Sequence, residues 1–548
     1  MVLLTGTWKR HRKRFAIDLR VRRRSKLLAT VTLLTLPARI LADWTTFGHD
    51  PQRSGWAFEE TALTPETVGG LKLKWSTQLP NESLALNALT APLVARDIVT
   101  TKGVKTLVYV AGSSNHVFAL DAATGEVVWS RRFQSYAKAL VESFYLCPNA
   151  INATPVISRH DNLIYVLAFD GRVYGLDLGS GAIKFGPFQL VPAFAKPWSL
   201  NYYGGVLYTT TSQGCGGDHS GIYSMDVRNP MHHSSHELLI RQGGGAGMWN
   251  RGGTAIGGGR LYVSTGDGVF NPAEGDYGST FLAVSTPDLE LLGYYTPRNW
   301  REINRLDLDL PSGGIVWFAH GNKDLVAGGG KEGVVYLLDA DNFGGKDHHT
   351  PLYATPRLGN DEHELASKGI WGSPAVWTDE NGETWLYITM WGKVSRNAPA
   401  FPLTNGPTPH GSIMALKVVS DRDSSAFKLQ LAWVSPDFNL PDPPVVANGV
   451  VFALATGENS QQNKDPNILH YKSHQDWKNN LLTTEDRGRG TSPAVLTAMD
   501  ARTGKLLYES GDAIKSWVHF SGLAIEDGQV YVVDYESRLY CFGLASTR

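Results

Sequence analysis

Between Met248 and Gly333 the chain sets a tryptophan, two acidic groups and a lysine where strand-like runs give way to glycine-rich loops, the places from which a β-scaffold presents chemistry. Trp249 lies in G-M-W-N-R-G-G, Asp267 in Y-V-S-T-G-D-G, Asp307 and Asp309 in L-D-L-D-L-P, and Lys331 in G-G-G-K-E-G. Carboxylates are hard oxygen donors for a cation, and Asn271 and Asp276 add oxygens to the loop of Asp267. Asp307 and Asp309 alternate with leucines, so an extended strand would set both on one face, where repulsion lifts one pKa into the range of a general base. Each residue also has a plainer reading. Asp267 can cap its own turn, the aspartate pair can be a solvated rim, Lys331 a solvated turn residue, and Trp249 a packing group between sheets.

Other candidates carry less. Cys147, Cys215 and Cys541 are far apart and odd in number, so they make neither a full disulfide framework nor a C-x-x-C metal or haem site. His232, His233 and His236, and the pair His348-His349, fall in irregular loops, which reads as either metal binding or plain solvation. His363-Glu364 lacks the second histidine of a zinc-protease motif, and there is no nucleophile elbow or phosphate loop.

The elements that must hold these residues repeat. Leu107–Trp129 (LVYVAGSSNHVFALDAATGEVVW) and Leu163–Phe185 (LIYVLAFDGRVYGLDLGSGAIKF) align without a gap, each reading as strand, turn, strand, glycine turn and a third strand closed by an aromatic. Related units recur to Val530–Leu544, about eight in all, and the last lacks an outer strand. Leu71–Leu79 (LKLKWSTQL) is an outer strand with no unit before it, and pairing the two closes a ring and removes exposed edges. The 58 Gly, 16 Trp and 21 Tyr fit many short strands. The expectation is an all-β protein, an eight-bladed β-propeller of four-stranded antiparallel blades closed by an N-terminal strand.

The N-terminus stands apart. Eleven of the 51 bases and one of the 52 acids lie in the first 42 residues, leaving 40 bases against 51 acids and a charge near −11 for the rest, which argues against a nucleic-acid partner. A basic stretch, the apolar run Leu27–Leu36 and Ala42 before Asp43 read as a cleavable signal peptide over 1–42, too short to span a bilayer as a mature anchor. Arg23-Arg24 leave twin-arginine export open, and no cysteine follows the apolar run. The expectation is one propeller domain over 43–548, periplasmic or secreted, with no membrane span in the mature chain.

The signature A-L-D-A-A-T-G-E-V-V-W (Ala119–Trp129), with A-M-D-A-R-T-G-K-L-L-Y and G-L-D-L-G-S-G-A-I-K-F, resembles the quinoprotein alcohol dehydrogenase-like propellers, a fold shared by pyrroloquinoline quinone (PQQ) dehydrogenases and outer-membrane assembly factors. The opening DWTTFGHDPQRSGW (Asp43–Trp56) is similar to bacterial PQQ-repeat proteins of that superfamily. The resemblance implies Trp249 under the quinone, Asp267 on calcium with Asn271 or Asp218 adding oxygens, Asp307 as catalytic base supported by Asp309, and Lys331 at the quinone oxygens. It implies an exported PQQ-dependent oxidoreductase acting on a small alcohol or sugar. Lacking a haem motif, such an enzyme passes its electrons to a separate acceptor.

Departures are visible too. Leu306 stands where the family has tryptophan, the vicinal cysteine pair over the cofactor is reduced to Cys147, and the calcium-binding glutamate is missing near T-S-Q-G-C-G-G-D-H-S-G, where Asp218 is the nearest carboxylate. These favour the other class of function, a non-catalytic propeller serving as a binding or scaffold module of the cell envelope. An assembly-factor role rests on fold analogy alone.

Overall fold

The computed structural model describes residues 43–545 except 140–141, 145, 230–232, 241–245, 365–366, 421–425, 466–467 and 469–473; the expected signal segment and His232 lie outside the described residues. Eight antiparallel sheets form a ring of blades. Blades 1 to 7 cover 93–132, 156–189, 201–239, 255–295, 315–354, 375–434 and 445–509, and blade 8 joins 524–543 to Lys72–Gln78. The last pairing, Ser76 opposite Tyr540 and Gln78 opposite Arg538, is the closure expected from Leu71–Leu79. Among the described residues no helix is long and apolar enough to cross a membrane.

The gapless repeat has a structural counterpart in register. Leu107 pairs with Asp121 and Ala119 with Trp129 in blade 1; Leu163 pairs with Asp177 and Gly175 with Phe185 in blade 2. A side-chain period of two then sends the same positions into the clefts between blades, where the paired Val108 and Leu120 share one core with the equivalent Ile164 and Leu176. The closing aromatic locks each blade to the next. Trp75 donates its indole N–H to Ala122 O (2.9 Å) and Trp129 to Leu178 O (2.8 Å). Both rings lie on a glycine of the neighbouring turn, Gly125 or Gly181, where a Cβ would come within 2.5 Å of the indole. These glycines also have φ of 75° and 66°, so the signature T-G or S-G serves turn and docking together.

The first strands of consecutive blades touch one another and so line the axis, which leaves their inner edges in need of partners. Residues 44–60 supply them. Val94 N donates to Trp44 O (3.0 Å), Ile157 N to Thr45 O (2.8 Å), Ile256 N to Pro51 O (2.7 Å), Trp317 N to Gln52 O (3.2 Å), Val376 N to Ser54 O (2.8 Å) and Val446 N to Gly55 O (2.7 Å). Thr46 Oγ1 reaches Leu200 O in blade 3, and Gly528 N in blade 8 donates to Glu60 Oε2 (both 2.8 Å). The segment is a girdle that visits the eight blades in order. Arg53 is its keystone: 1% exposed, it donates to Thr254 O, Thr46 Oγ1, Phe47 O and Leu200 O at 2.7–3.0 Å.

Candidate functional site

The strand Lys323–Gly329 of blade 5 ends at Gly330, and Lys331 turns inward with only 4% of its surface exposed. Its Nζ lies 2.8 Å from Asp309 Oδ2 and 3.0 Å from both Asp307 Oδ1 and Asp307 O, and its N–H donates to Asp309 O (3.2 Å). A Cβ at Gly330 would meet that same carbonyl at 2.3 Å, so only glycine permits the approach. Asp309 Oδ1 accepts the backbone N–H of Asp267 (2.7 Å). One buried carboxylate therefore ties the ends of two blades together.

The two aspartates do not lie on an extended strand, which corrects the sequence expectation. A short helix, Trp300–Arg305, unwinds at Leu306, Asp307 takes a left-handed φ of 53°, and a 3-10 turn follows at Leu310–Ser312. Leu306, Leu308 and Leu310 are buried while Asp307 and Asp309 face Lys331. The alternation is real, but a helix end and a turn produce it. Asn304 of that helix binds Ser279 Oγ and Gly268 O, pinning the Asp267 loop beside it.

The charges are split unequally. Burial works against an ionised Asp309, but Lys331 and the hydrogen bonds from Asp307, Lys331 and Asp267 N–H outweigh it and hold its pKa below the ordinary value. Asp307 is raised well above its ordinary value, first by desolvation and then by the charge of Asp309, although 43% of its side chain still reaches solvent and tempers the effect. Asp267 is pushed up to about 6 by desolvation and by Asp309, against the pull of Lys331. The two carboxylates raise Lys331 despite its own burial. The proton affinity of the set is thus raised on the solvent side, at Asp307, and lowered on the inner side, at Asp309.

Aromatic rings wall this charge. Lys331 Nζ stands 5.2 Å over Trp249 and 5.7 Å over Trp371, within cation–π range. Trp371 is stacked on Trp391 at 4.7 Å and on Phe520 at 5.8 Å. Trp371, Trp391 and Phe520 lie outside the Met248–Gly333 stretch, Trp391 at the end of the strand Thr384–Trp391 and the other two in loops, with no local pattern to mark them.

Asp267, Asp307 and Asp309 bring carboxylate oxygens within 4.8 Å of one another, the one such group of three His, Cys, Asp or Glu side chains among the described residues. Their hard donors fit an oxygen-loving cation, with Lys331 already satisfying part of the charge. Asn271 pairs with Asp276 in a short hairpin of the loop that follows Asp267. Asp218 stands apart, accepting the Tyr223 hydroxyl at 2.8 Å. Cys147 is bonded to Cys215 (S–S 2.09 Å) across 68 residues, so it offers no thiol to a ligand. His348 stacks on Tyr294 at 3.9 Å, a packing role, and the exposed His233 lies tilted against Phe188 at 4.1 Å.

A second buried polar set, drawn from residues remote in sequence, meets the aromatic wall at Phe520. Arg251 binds Phe520 O (2.7 Å) and Asn152 Oδ1 (3.0 Å); Glu458 Oε1 holds Arg487 (2.6 Å) and His519 (2.9 Å). Lys196, 8% exposed, is pulled down to about 7 by desolvation and by Arg251 and Arg487. Asp442 is fully buried, accepts one N–H from Gly522 (2.9 Å), and is pushed up to about 7 by desolvation. An acid with a raised folded pKa binds its proton more tightly when folded, so stability falls as pH rises from the unfolded value near ~4 toward 7. Asp442→Asn is expected to flatten that part of the curve, read as melting temperature against pH.

Comparison with known proteins fits this geometry. Residues 50–229 match the family described as outer membrane protein assembly factor BamB. The BamB of Yersinia pestis is 32% identical over 111 residues, 20% of this chain and 25% of that protein, so the chain spans a quarter of that relative. Quinohemoprotein alcohol dehydrogenase ADHIIG from Pseudomonas putida HK5 superposes with a TM-score of 0.59 at 14% identity over 92% of this chain and 81% of its own. The chain has the fold of the quinoprotein alcohol dehydrogenases. The quinohemoprotein alcohol dehydrogenase of Comamonas testosteroni (TM-score 0.56, 14% identity, 92% and 81% covered) and a europium-containing methanol dehydrogenase (0.55, 12%, 92% and 98%) share this propeller fold. At such identities the likeness concerns the fold alone, and the site of this propeller stands on its own residues.

Proposed function

We propose that this protein is an exported PQQ-dependent oxidoreductase that oxidises a small alcohol or sugar. The observation that carries the reading is Lys331 locked between Asp307 and Asp309 beside Trp249 and Trp371, a buried cation and a proton-accepting carboxylate against flat walls. When bound, PQQ supplies a hydride acceptor with adjacent carbonyl oxygens, and a hard cation polarises them. Trp249 and Trp371 would form flat walls for it, and Asp267, Asp307 and Asp309 would hold calcium, or a trivalent lanthanide of the kind named for the europium-containing neighbour.

Asp307 takes the hydroxyl proton of the substrate. Burial and the charge of Asp309 raise its proton affinity, which favours a base. Asp309 stays charged, lifts the proton affinity of Asp307 and fixes Lys331, whose ammonium faces the developing negative charge. Trp249 and Trp371 keep bulk water from the inner side of the pair.

A second reading, a non-catalytic binding propeller of the envelope, is favoured by one observation. Trp371, Trp391 and Phe520 already stack on one another, and Lys331 already satisfies both carboxylates, so the site is complete without a ligand. The two readings part on one experiment. The purified protein is mixed with PQQ and calcium or terbium, then passed through gel filtration. The dehydrogenase reading expects retained quinone absorbance, tryptophan-sensitised terbium luminescence lost in Asp309→Asn, and alcohol-dependent dye reduction. Asp307→Asn should keep the quinone and lose turnover. Absence of retained quinone at micromolar protein would overturn it.

A further inference from the structure

From the floor of the candidate site an unbroken series of aromatic rings runs to the outside of the molecule. Trp249 and Trp371 have centroids 5.6 Å apart, Trp371 and Phe520 5.8 Å, Phe520 and His519 4.6 Å, His519 and Trp517 6.4 Å, and Trp517 and Tyr535 4.3 Å. Trp391 lies against both Trp371 and Phe520, at 4.7 and 5.7 Å, and widens the middle of the series. Its inner members are sealed from water: Trp371, Trp391 and Trp517 are 4, 2 and 5% exposed. Tyr535 is half-buried, and Leu86, Leu146 and Leu481 surround it with Trp517.

Core packing alone does not require this series. The indoles that join the blades, such as Trp75, Trp129 and Trp433, donate to a backbone carbonyl of the neighbouring turn, and another ring series, Trp377, Trp385, Tyr387 and Trp433, stays within blade 6. The mouth series instead links rings from the Trp249 loop, blade 6 and the segment before blade 8, then ends on the blade 8 turn bearing Tyr535. Indole and phenol rings give up an electron most readily among side chains, and Phe520 and His519 bridge the one interval between indoles at ring-to-ring contact.

We propose that Trp249, Trp371, Trp517 and Tyr535 are stations of a one-electron exit route from the candidate site to an external acceptor that meets the protein at Tyr535. The proposal rests on the dehydrogenase reading above. Oxidation of one alcohol to its carbonyl releases two electrons and two protons, and this chain has no C-x-x-C-H haem site to take them. Each electron passes outward by station-to-station exchange, each station being oxidised by the one outside it and refilled by the one inside. Two equivalents of a one-electron acceptor, such as a ferric haem protein or ferricenium, are reduced per alcohol, and the two protons go to solvent. The ion pair at Lys331 stays intact throughout, because no station carries one of its carboxylates.

The route is tested first without any cofactor. A ruthenium tris-bipyridine photo-oxidant is attached at exposed Glu536→Cys; Cys541 is 0% exposed and the other two cysteines are paired, so labelling is selective. After a flash with an oxidative quencher, an indole radical is expected in transient absorption and electron paramagnetic resonance. It should be lost in Trp517→Phe, which keeps a ring in place, and kept in Trp300→Phe, which lies off the route. An indole radical unchanged by Trp517→Phe, or a radical confined to Tyr535, overturns the proposal. In PQQ-loaded protein, Trp517→Phe should slow ferricenium reduction and leave the single-turnover oxidation of alcohol unchanged. Failure to retain PQQ with an intact flash result removes the dehydrogenase reading but not the route; the reverse pattern removes the route alone.

Discussion

Lys331→Met is expected to lower the unfolding free energy by about 3–5 kcal/mol at neutral pH, the cost of leaving one partner of a buried ion pair behind. Methionine matches the lysine stem in length, so packing against Trp249 and Trp371 survives while the ammonium is removed. Asp309, with a side chain 6% exposed, is then stranded. Its folded pKa, now held below the ordinary value, would swing upward. In the native protein Asp309 contributes stability above the unfolded carboxylate pKa and loses it as pH falls through the lower folded value. In Lys331→Met the sign reverses, and stability declines as pH rises through the unfolded pKa. Urea unfolding at mildly acidic and neutral pH reads the difference. Adding Asp309→Asn should restore most of the loss at neutral pH, whereas equal destabilisation at both pH values would show that packing is responsible.

Arg53→Ala is expected to cost at least about 2 kcal/mol, since Phe47 O and Thr46 Oγ1 lose their donor at roughly 1–3 kcal/mol for each orphan, while Leu200 O keeps Thr46 Oγ1 and Thr254 O keeps Asn201 Nδ2. The acceptors are Thr254 O, Thr46 Oγ1, Phe47 O and Leu200 O, drawn from the girdle itself and from the residues that lead into blades 3 and 4. Arg53→Lys should recover little, because a lysine point charge cannot reproduce the fork. Melting followed by near-ultraviolet circular dichroism checks both. A loss under ~1 kcal/mol, the range of an ordinary surface substitution, would mean that the girdle is not held through this residue.

Much of the architecture was readable because it is written in local repeats. Leu107–Trp129 and Leu163–Phe185 align without gaps, and their strands pair in the same register, so hydrophobic phase and turn chemistry agree. Leu71–Leu79 was legible as the closing strand because an unpaired outer strand has one place to go in a ring. Trp249, Asp267, Asp307, Asp309 and Lys331 converge because each ends a strand or opens a turn on the same side of the ring. The failures are of long-range origin. Nothing within either segment signals that Cys147 and Cys215 are 5.4 Å apart at Cα, or that Glu458 will hold Arg487 from an insertion. L-D-L-D-L mimics a strand because burial of alternate leucines is compatible with more than one backbone path, and the left-handed Asp307 is invisible to periodicity.

The girdle imposes an order in time. Each blade is a meander of local contacts and can pair soon after its own residues are available. Residues 44–60 are early in the chain, yet their partners run from Val94 to Gly528. Their hydrogen bonds are complete only when the last blade exists, and Lys72–Gln78 waits for the same moment. The slow step of folding is therefore one late zippering along the axis, with most of the blade surface already buried. In the reverse direction no blade can be peeled off without breaking contacts shared with the others. Such a hoop is expected to show its effect on the rate of unfolding more than on the rate of folding.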